Sequence, residues 1–211
     1  MRYTQATEAE GADSMRVLFV HQNFPGQYLH LASALAARGD EVVALAIEKQ
    51  QPPPGVRVFH YQPRRASSTD IHPWVGDIET KVIRGEAAAQ AALAIRDKGF
   101  VPDMICAHPG WGEALFLKDV FPDTPMLSFI EFYYKVDGAD FGFDPEFAED
   151  DVGGRCRLRM KNANSLLNLD IADWCVTPTE WQRSTVPARY QDRMTVIHDG
   201  IDTERVNPLY A

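Results

Sequence analysis

The run Arg16-Val17-Leu18-Phe19-Val20-His21 is followed by the turn formers Asn23, Pro25 and Gly26. A strand with one wet face alternates apolar and polar residues. This one is apolar without interruption from Val17 to Val20, the pattern of a strand buried on both faces of a parallel sheet. Outward from it, residues 27–38 carry apolar side chains at Leu29, Leu31, Ala32, Leu35 and Ala36, and Gly39 supplies a helix stop. The alternation then continues. Strands are expected over 41–47 and 56–61, divided by Pro52-Pro53-Pro54-Gly55, and an alanine-rich helix over 74–98. A strand over 104–107, a helix over 113–120, a strand over 126–132, a helix over 155–169 and a strand over 174–177 follow. Thr179 caps a helix over 180–185, and a last strand covers 194–197. Strands separated by helices of this length predict right-handed crossovers. The fold class is therefore α/β: a doubly wound, mostly parallel, Rossmann-like sheet with helices on both faces.

With 211 residues, 45% hydrophobic and 24% charged, the chain suits a single globular unit. Residues 1–14 are polar and aperiodic and read as a disordered extension, with folding beginning at residue 15. No apolar run approaches the roughly 18 residues of a membrane span, and the N-terminus lacks a signal peptide's apolar stretch. A cytoplasmic protein is expected, with no transmembrane segment and room for peripheral membrane contact. The net charge of −9 argues against nucleic acid as a partner, because phosphate neutralisation needs surplus Lys and Arg. Cys106, Cys156 and Cys175 are widely spaced without a C-x-x-C, so neither a disulfide framework nor a zinc site is indicated. Cys106 and Cys175 fall in apolar runs and read as buried thiols. Residues 137–151 hold seven carboxylates and no base, with Arg155, Arg157, Arg159 and Lys161 close behind. This segment reads as a solvated acidic loop, and its glycines Gly138, Gly142, Gly153 and Gly154 allow a second reading, a loop that closes over a ligand.

In a doubly wound sheet, ligands bind outside the carboxyl ends of the strands. Four loops qualify: 21–28, 108–113, 131–137 and 177–180. In the first, Gly26 and Gln27 start a helix at whose positive end a phosphate would sit, and Asn23 and Phe24 are candidate ligand contacts. A turn glycine that merely opens a helix explains Gly26 equally well. There is no G-x-G-x-x-G, which counts against a dehydrogenase. In the second loop, His108-Pro109-Gly110-Trp111-Gly112-Glu113 puts an imidazole at a strand end between glycine-rich flanks, making His108 the candidate catalytic residue and Trp111 a candidate ligand contact. In the third, Glu131 stands among Phe132, Tyr133 and Tyr134, a mixture suited to sugar hydroxyls and C–H faces. Glu131 and Tyr133 are therefore candidate sugar contacts, although an aromatic pair is more often core and rim. In the fourth, Thr177-Pro178-Thr179-Glu180-Trp181-Gln182, helix capping alone accounts for Thr179. G-x-S-x-G and phosphate-binding Gly-Lys-Ser/Thr motifs are absent, disfavouring α/β-hydrolases and P-loop NTPases.

The segment Met194-Thr195-Val196-Ile197-His198-Asp199-Gly200-Ile201-Asp202-Thr203 resembles the "strand, His-Asn-Gly-Ile-Asp" hinge of family-4 glycosyltransferases of GT-B architecture, with Asp199 where Asn is usual. Together with 108–113, the stretch from Phe121-Pro122-Asp123 to Tyr134, and Thr177-Pro178-Thr179 with Trp181-Gln182, the resemblance covers most of residues 15–208 and is nearest to a bacterial subgroup. It implies that residues 15–205 are the N-terminal, acceptor-side domain of a retaining transferase, one half of a GT-B fold. His198, Asp199 and Gly200 would be the hinge, and 206–211 the start of a linker to a second domain. That second domain, with a glutamate pair this chain does not contain, would grip most of the nucleotide-sugar donor, with Gly26 and Gln27 as the donor phosphate loop, and the other partner would be a carbohydrate or other hydroxyl acceptor contacted by Asn23, Phe24, Trp111, Glu131 and Tyr133. The family usually carries a second glycine in the first loop, so donor contact through Gly26 stays open. The resemblance implies no cofactor. With no Asp-x-Asp triplet for a divalent ion, no metal is expected. The chain alone is expected to fold but not to turn over. A stand-alone Rossmann-like binding module and half of a sugar-nucleotide epimerase remain as alternatives.

Overall fold

The structure is a computed structural model that describes residues 14–139, 144, 146, 151–203 and 206. Most of the proposed N-terminal extension, of the acidic loop and of the proposed linker lies outside the described residues. Among the described residues seven strands form one sheet: β1 (Arg16–Val20), β2 (Glu41–Ala46), β3 (Val56–His60), β4 (Met104–Ala107), β5 (Met126–Phe129), β6 (Trp174–Thr177) and β7 (Met194–Val196). Their order is β3-β2-β1-β4-β5-β6-β7, and every pairing is parallel. Strand order reverses between β1 and β4, which places the loops after these two strands beside each other.

The connecting helices are α1 (Leu29–Arg38), α2 (Gly76–Arg96), α3 (Leu117–Val120), α4 (Val152–Ile171), α5 (Glu180–Thr185) and α6 (Ala188–Gln191). The uninterrupted apolar strands divide their side chains between two cores, because successive residues point to opposite faces. Val17, Phe19, Val42 and Ala44 pack with Ala32 of α1 on one face. Leu18, Val20, Val43, Leu45 and Ile105 pack on the other with Ala88 and Ala92 of α2, Leu117 of α3, Leu169 of α4 and Tyr190 of α6. Cys106 and Cys175 are buried free thiols, and burial pushes them up to about 12 and about 11.

Gly39 ends α1 in the left-handed conformation, Thr179 Oγ1 accepts from the Gln182 amide to start α5, and Asp151, last of the acidic run, caps α4 through the Gly154 amide. Two of the expected elements are clearly shorter than the sequence suggests. The helix expected over 113–120 is regular only at Leu117–Val120, because Leu115 and Leu117 donate to Gly112 and Ala114 in tight turns. The strand expected over 126–132 ends at Phe129. Ile130 still donates to Val176, but Tyr134 turns away to bond a side chain of α4. The short helix α6 carries no sequence signal strong enough to separate it from its neighbours.

Candidate functional site

Beyond the carboxyl ends of β4 and β5 lies a cavity of about 390 Å³ walled by the loops after these strands and by α2 and α4. Two glycines bring α2 onto the second loop. A Cβ on Gly85 would fall 2.7 Å from the Gly112 carbonyl oxygen, and Gly112, at φ +103°, lies against the Lys81 backbone. This contact turns Asp77, Thr80, Lys81 and Arg84 into the cavity. From the other side, α4 fastens both loops. Asn162 accepts from the Tyr134 amide at 3.0 Å and donates to its carbonyl at 2.7 Å, while Asn164 Nδ2 donates to the Pro109 carbonyl at 2.9 Å. The same helix presents Lys161, Asn164 and Ser165 to the cavity.

His108 lies in the cavity wall and is only 5% exposed, so it does not stand open to the cleft as its strand-end position suggested. Its Nδ1 accepts from the Gly110 amide, which leaves the proton on Nε2 to be donated to Glu131 Oε2 at 2.9 Å. Glu131 also accepts from Gln27 Nε2 at 2.9 Å. The His108 hydrogen bond outweighs burial and holds the Glu131 carboxyl below its ordinary range. Behind this pair stands His21, packed edge-on to His108 with ring centroids 5.0 Å apart. Burial, with repulsion from His108, lowers His21 to about 4, so it is neutral near pH 7.

The first loop departs most from its sequence reading. A Cβ on Gly26 would lie 2.7 Å from His21 Cε1, and Gly26 has φ +46°. Imidazole packing and turn geometry therefore account for this glycine. Phe24, a candidate acceptor contact, is 2% exposed and packs against Phe19 in the α1-side core. Asn23 is half-buried, gives its amide to His21 Nδ1 and does not line the cavity. Gln27 does reach the site, through Glu131. In the third loop the cavity aromatics are Phe132 and Tyr134, not Tyr133, which packs against the larger core. Trp111 is exposed and lines the cavity with the Arg84 guanidinium 5.7 Å from its ring centroid.

A second groove, of about 300 Å³, runs between α1 and the end of β7 and is lined by Gln27, Phe129, Ile197, His198 and Asp199 among others. Phe129 belongs to both spaces, and the Gln27–Glu131 hydrogen bond joins a groove residue to a cavity residue. His198, Asp199 and Gly200 are exposed; His198 Nδ1 accepts from the Gly200 amide at 3.0 Å, and Gly200 has φ +79°. Sequence reading missed the contribution of α2 and α4. Its trace was present as polar stripes at helical spacing, Asp77-Thr80-Lys81-Arg84 and Lys161-Asn164-Ser165. Among the described residues no group of His, Cys, Asp and Glu is arranged to hold a metal ion, and no helix is long and apolar enough to cross a membrane.

A family model described as "Glycosyl transferase family 4 group" matches residues 38–206. The chain belongs to this glycosyltransferase family. No curated protein matches it. Among solved structures, this family 4 domain is similar to Os79 from O. sativa in complex with UDP, with TM-score 0.53 and 14% identity over 90% of this chain and 53% of that one. It is also similar to a UDP-glucose:anthocyanidin 3-O-glucosyltransferase in complex with UDP, with TM-score 0.55 and 14% identity over 93% and 55% of the two chains. A third likeness is to a UDP-glucosyltransferase from Polygonum tinctorium capable of glucosylating indoxyl, with TM-score 0.54 and 9% identity over 89% and 52%. These likenesses establish the Rossmann-like half of a GT-B fold. The family 4 domain spans about half the length of the structures it matches.

Proposed function

We propose that this domain is the acceptor side of a retaining glycosyltransferase that moves a sugar from a nucleotide-sugar to an acceptor hydroxyl, the donor being held mainly by a second domain reached through the hinge at His198–Gly200. The observation that carries this reading is the Glu131 carboxylate, held charged in the cavity wall by His108 and linked through Gln27 to a separate groove beside the hinge. The acceptor occupies the 390 Å³ cavity, with Trp111, Phe132 and Tyr134 against its C–H faces. Glu131 accepts a hydrogen bond from the reacting hydroxyl and fixes its direction. His108, with its proton committed to Glu131, acts through that carboxylate as a positioning residue. The donor approaches from the groove, where Gln27 and the start of α1 lie nearest its phosphates. UDP in two of the similar structures supports a nucleotide-sugar donor.

The test is to screen nucleotide-sugars and sugar acceptors with a full-length enzyme containing this domain. Transfer with the donor's anomeric configuration kept in the product is expected, together with none from the 211-residue chain alone. Inverted product would remove the retaining mechanism, and turnover by the chain alone would remove the two-domain reading.

A further inference from the structure

The acceptor cavity is rich in cations although the chain carries a net charge of −9. Among the described residues its two carboxylates are already engaged: Asp77 with Lys81 Nζ at 2.6 Å, Glu131 with His108 and Gln27. Arg84 and Lys161 are not neutralised in this way. Among the described residues neither has a carboxylate at ion-pair distance. Arg84 donates to Gln22 Oε1 at 2.6 Å and lies over Trp111, and Lys161 Nζ sits 4.0 Å from the Tyr134 ring centroid. Glu113 attracts Arg84 electrostatically, but that carboxylate is fully buried and does not line the cavity. The two cations come from different helices, α2 and α4. Each is steadied over an aromatic ring while its remaining N–H donors stay available.

A neutral sugar gives no return on two cations that lack an ion-pair partner among the described residues and are drawn partly out of water, whereas an anion supplies charge-assisted hydrogen bonds to both. Resting on the acceptor-side reading above, we infer that the acceptor is a sugar-like molecule bearing an anionic group, a phosphate or a carboxylate, seated between Arg84 and Lys161, with its hydroxyl directed at Glu131. The transferase would accordingly glycosylate a charged intermediate.

Isothermal titration of the 211-residue chain with glucose 6-phosphate, glucuronate, glucose and inorganic phosphate tests this. At least one anionic sugar should bind about 10-fold more tightly than glucose, and which one does so tells phosphate from carboxylate. Lys161→Met, which keeps the stem over Tyr134, should shrink that preference to within about 3-fold without changing Tm, and Lys161→Arg should restore it. Arg84→Gln should act in the same direction. Equal affinity for glucose and both anionic sugars would overturn the anionic acceptor and leave the acceptor-side reading standing. Inorganic phosphate binding as tightly as glucose 6-phosphate would overturn it as well, exposing a bare anion patch. No binding of any sugar at tens of millimolar would overturn both readings.

Discussion

Two glutamates follow the central strands a few residues past their ends, and their surroundings are opposite. Glu131, after β5, is half-buried and takes hydrogen bonds from His108 and Gln27, and its pKa is lowered. Glu113, after β4, is fully buried; neither carboxylate oxygen has a hydrogen-bond partner, and burial raises it from 4.5 to about 6. Burial raises the carboxylate that the protein strains to charge, and donors outweigh a lesser burial at the one it keeps charged. The cavity side holds a carboxylate in service, and the core side holds one as a liability.

The most damaging way to break the contrast is Glu131→Ala. It strands the His108 and Gln27 donors and removes the hydroxyl's acceptor, so kcat/KM of the full-length transferase should fall by about 100-fold or more. A change within threefold would deny Glu131 its role.

The second test uses pH. The folded chain keeps the Glu113 proton where the unfolded chain has lost it, so this contribution is complete below about pH 4.5 and disappears as pH rises through about 6, a loss of about 2 kcal/mol. Glu113→Gln should therefore gain about 2 kcal/mol over wild type in urea denaturation at pH 8 and nothing at pH 4. His21 has the reverse sign: lowered from 6.5 to about 4, it stabilises above pH 6.5 and that stability fades as pH falls towards 4. The two slopes oppose each other in wild type between pH 4.5 and 6, and Glu113→Gln should leave the rising His21 slope visible. A flat profile in the variant would contradict the assignment.

Asn162→Ala separates loop support from site chemistry. It leaves the Tyr134 amide and carbonyl without their partners, costing about 1–2 kcal/mol and speeding hydrogen exchange at Tyr134 while sparing β5. The smallest effect belongs to Tyr61→Phe. The Tyr61 hydroxyl favours the charged form of Glu113 only weakly and is itself buried without a partner, so its removal should shift stability at pH 8 by less than about 0.5 kcal/mol. A larger loss would show a full Tyr61–Glu113 hydrogen bond.

Much of the frame was legible along the chain. β4 and β6 fall where expected to the residue, Gly39 and Thr179 terminate and start their helices, and the alternation of elements led to a parallel, doubly wound sheet. The site was legible only in part. His108, Trp111, Glu131 and Gln27 do meet at one end of the sheet. Phe24 and Tyr133 do not face that space, because a residue in an irregular loop has no period from which its direction can be read. The helix over 113–120 was overextended for a related reason: apolar spacing is the same in a helix and in buried tight turns, and close packing of α2 on Gly112 selects the turns.

The sequence by itself determined the strands, the turns between them, the order of the elements and the family, since each depends on residues near one another along the chain. Tertiary structure alone decided that His108 would be enclosed, that Gly26 would be reserved for an imidazole, and that Lys81, Arg84 and Lys161 would gather over the ends of β4 and β5. Those outcomes depend on which face of α2 and α4 meets the loops, and that is settled by backbone approach at Gly85 and Gly112 and by the asparagine clamps of α4, contacts between residues far apart in the chain.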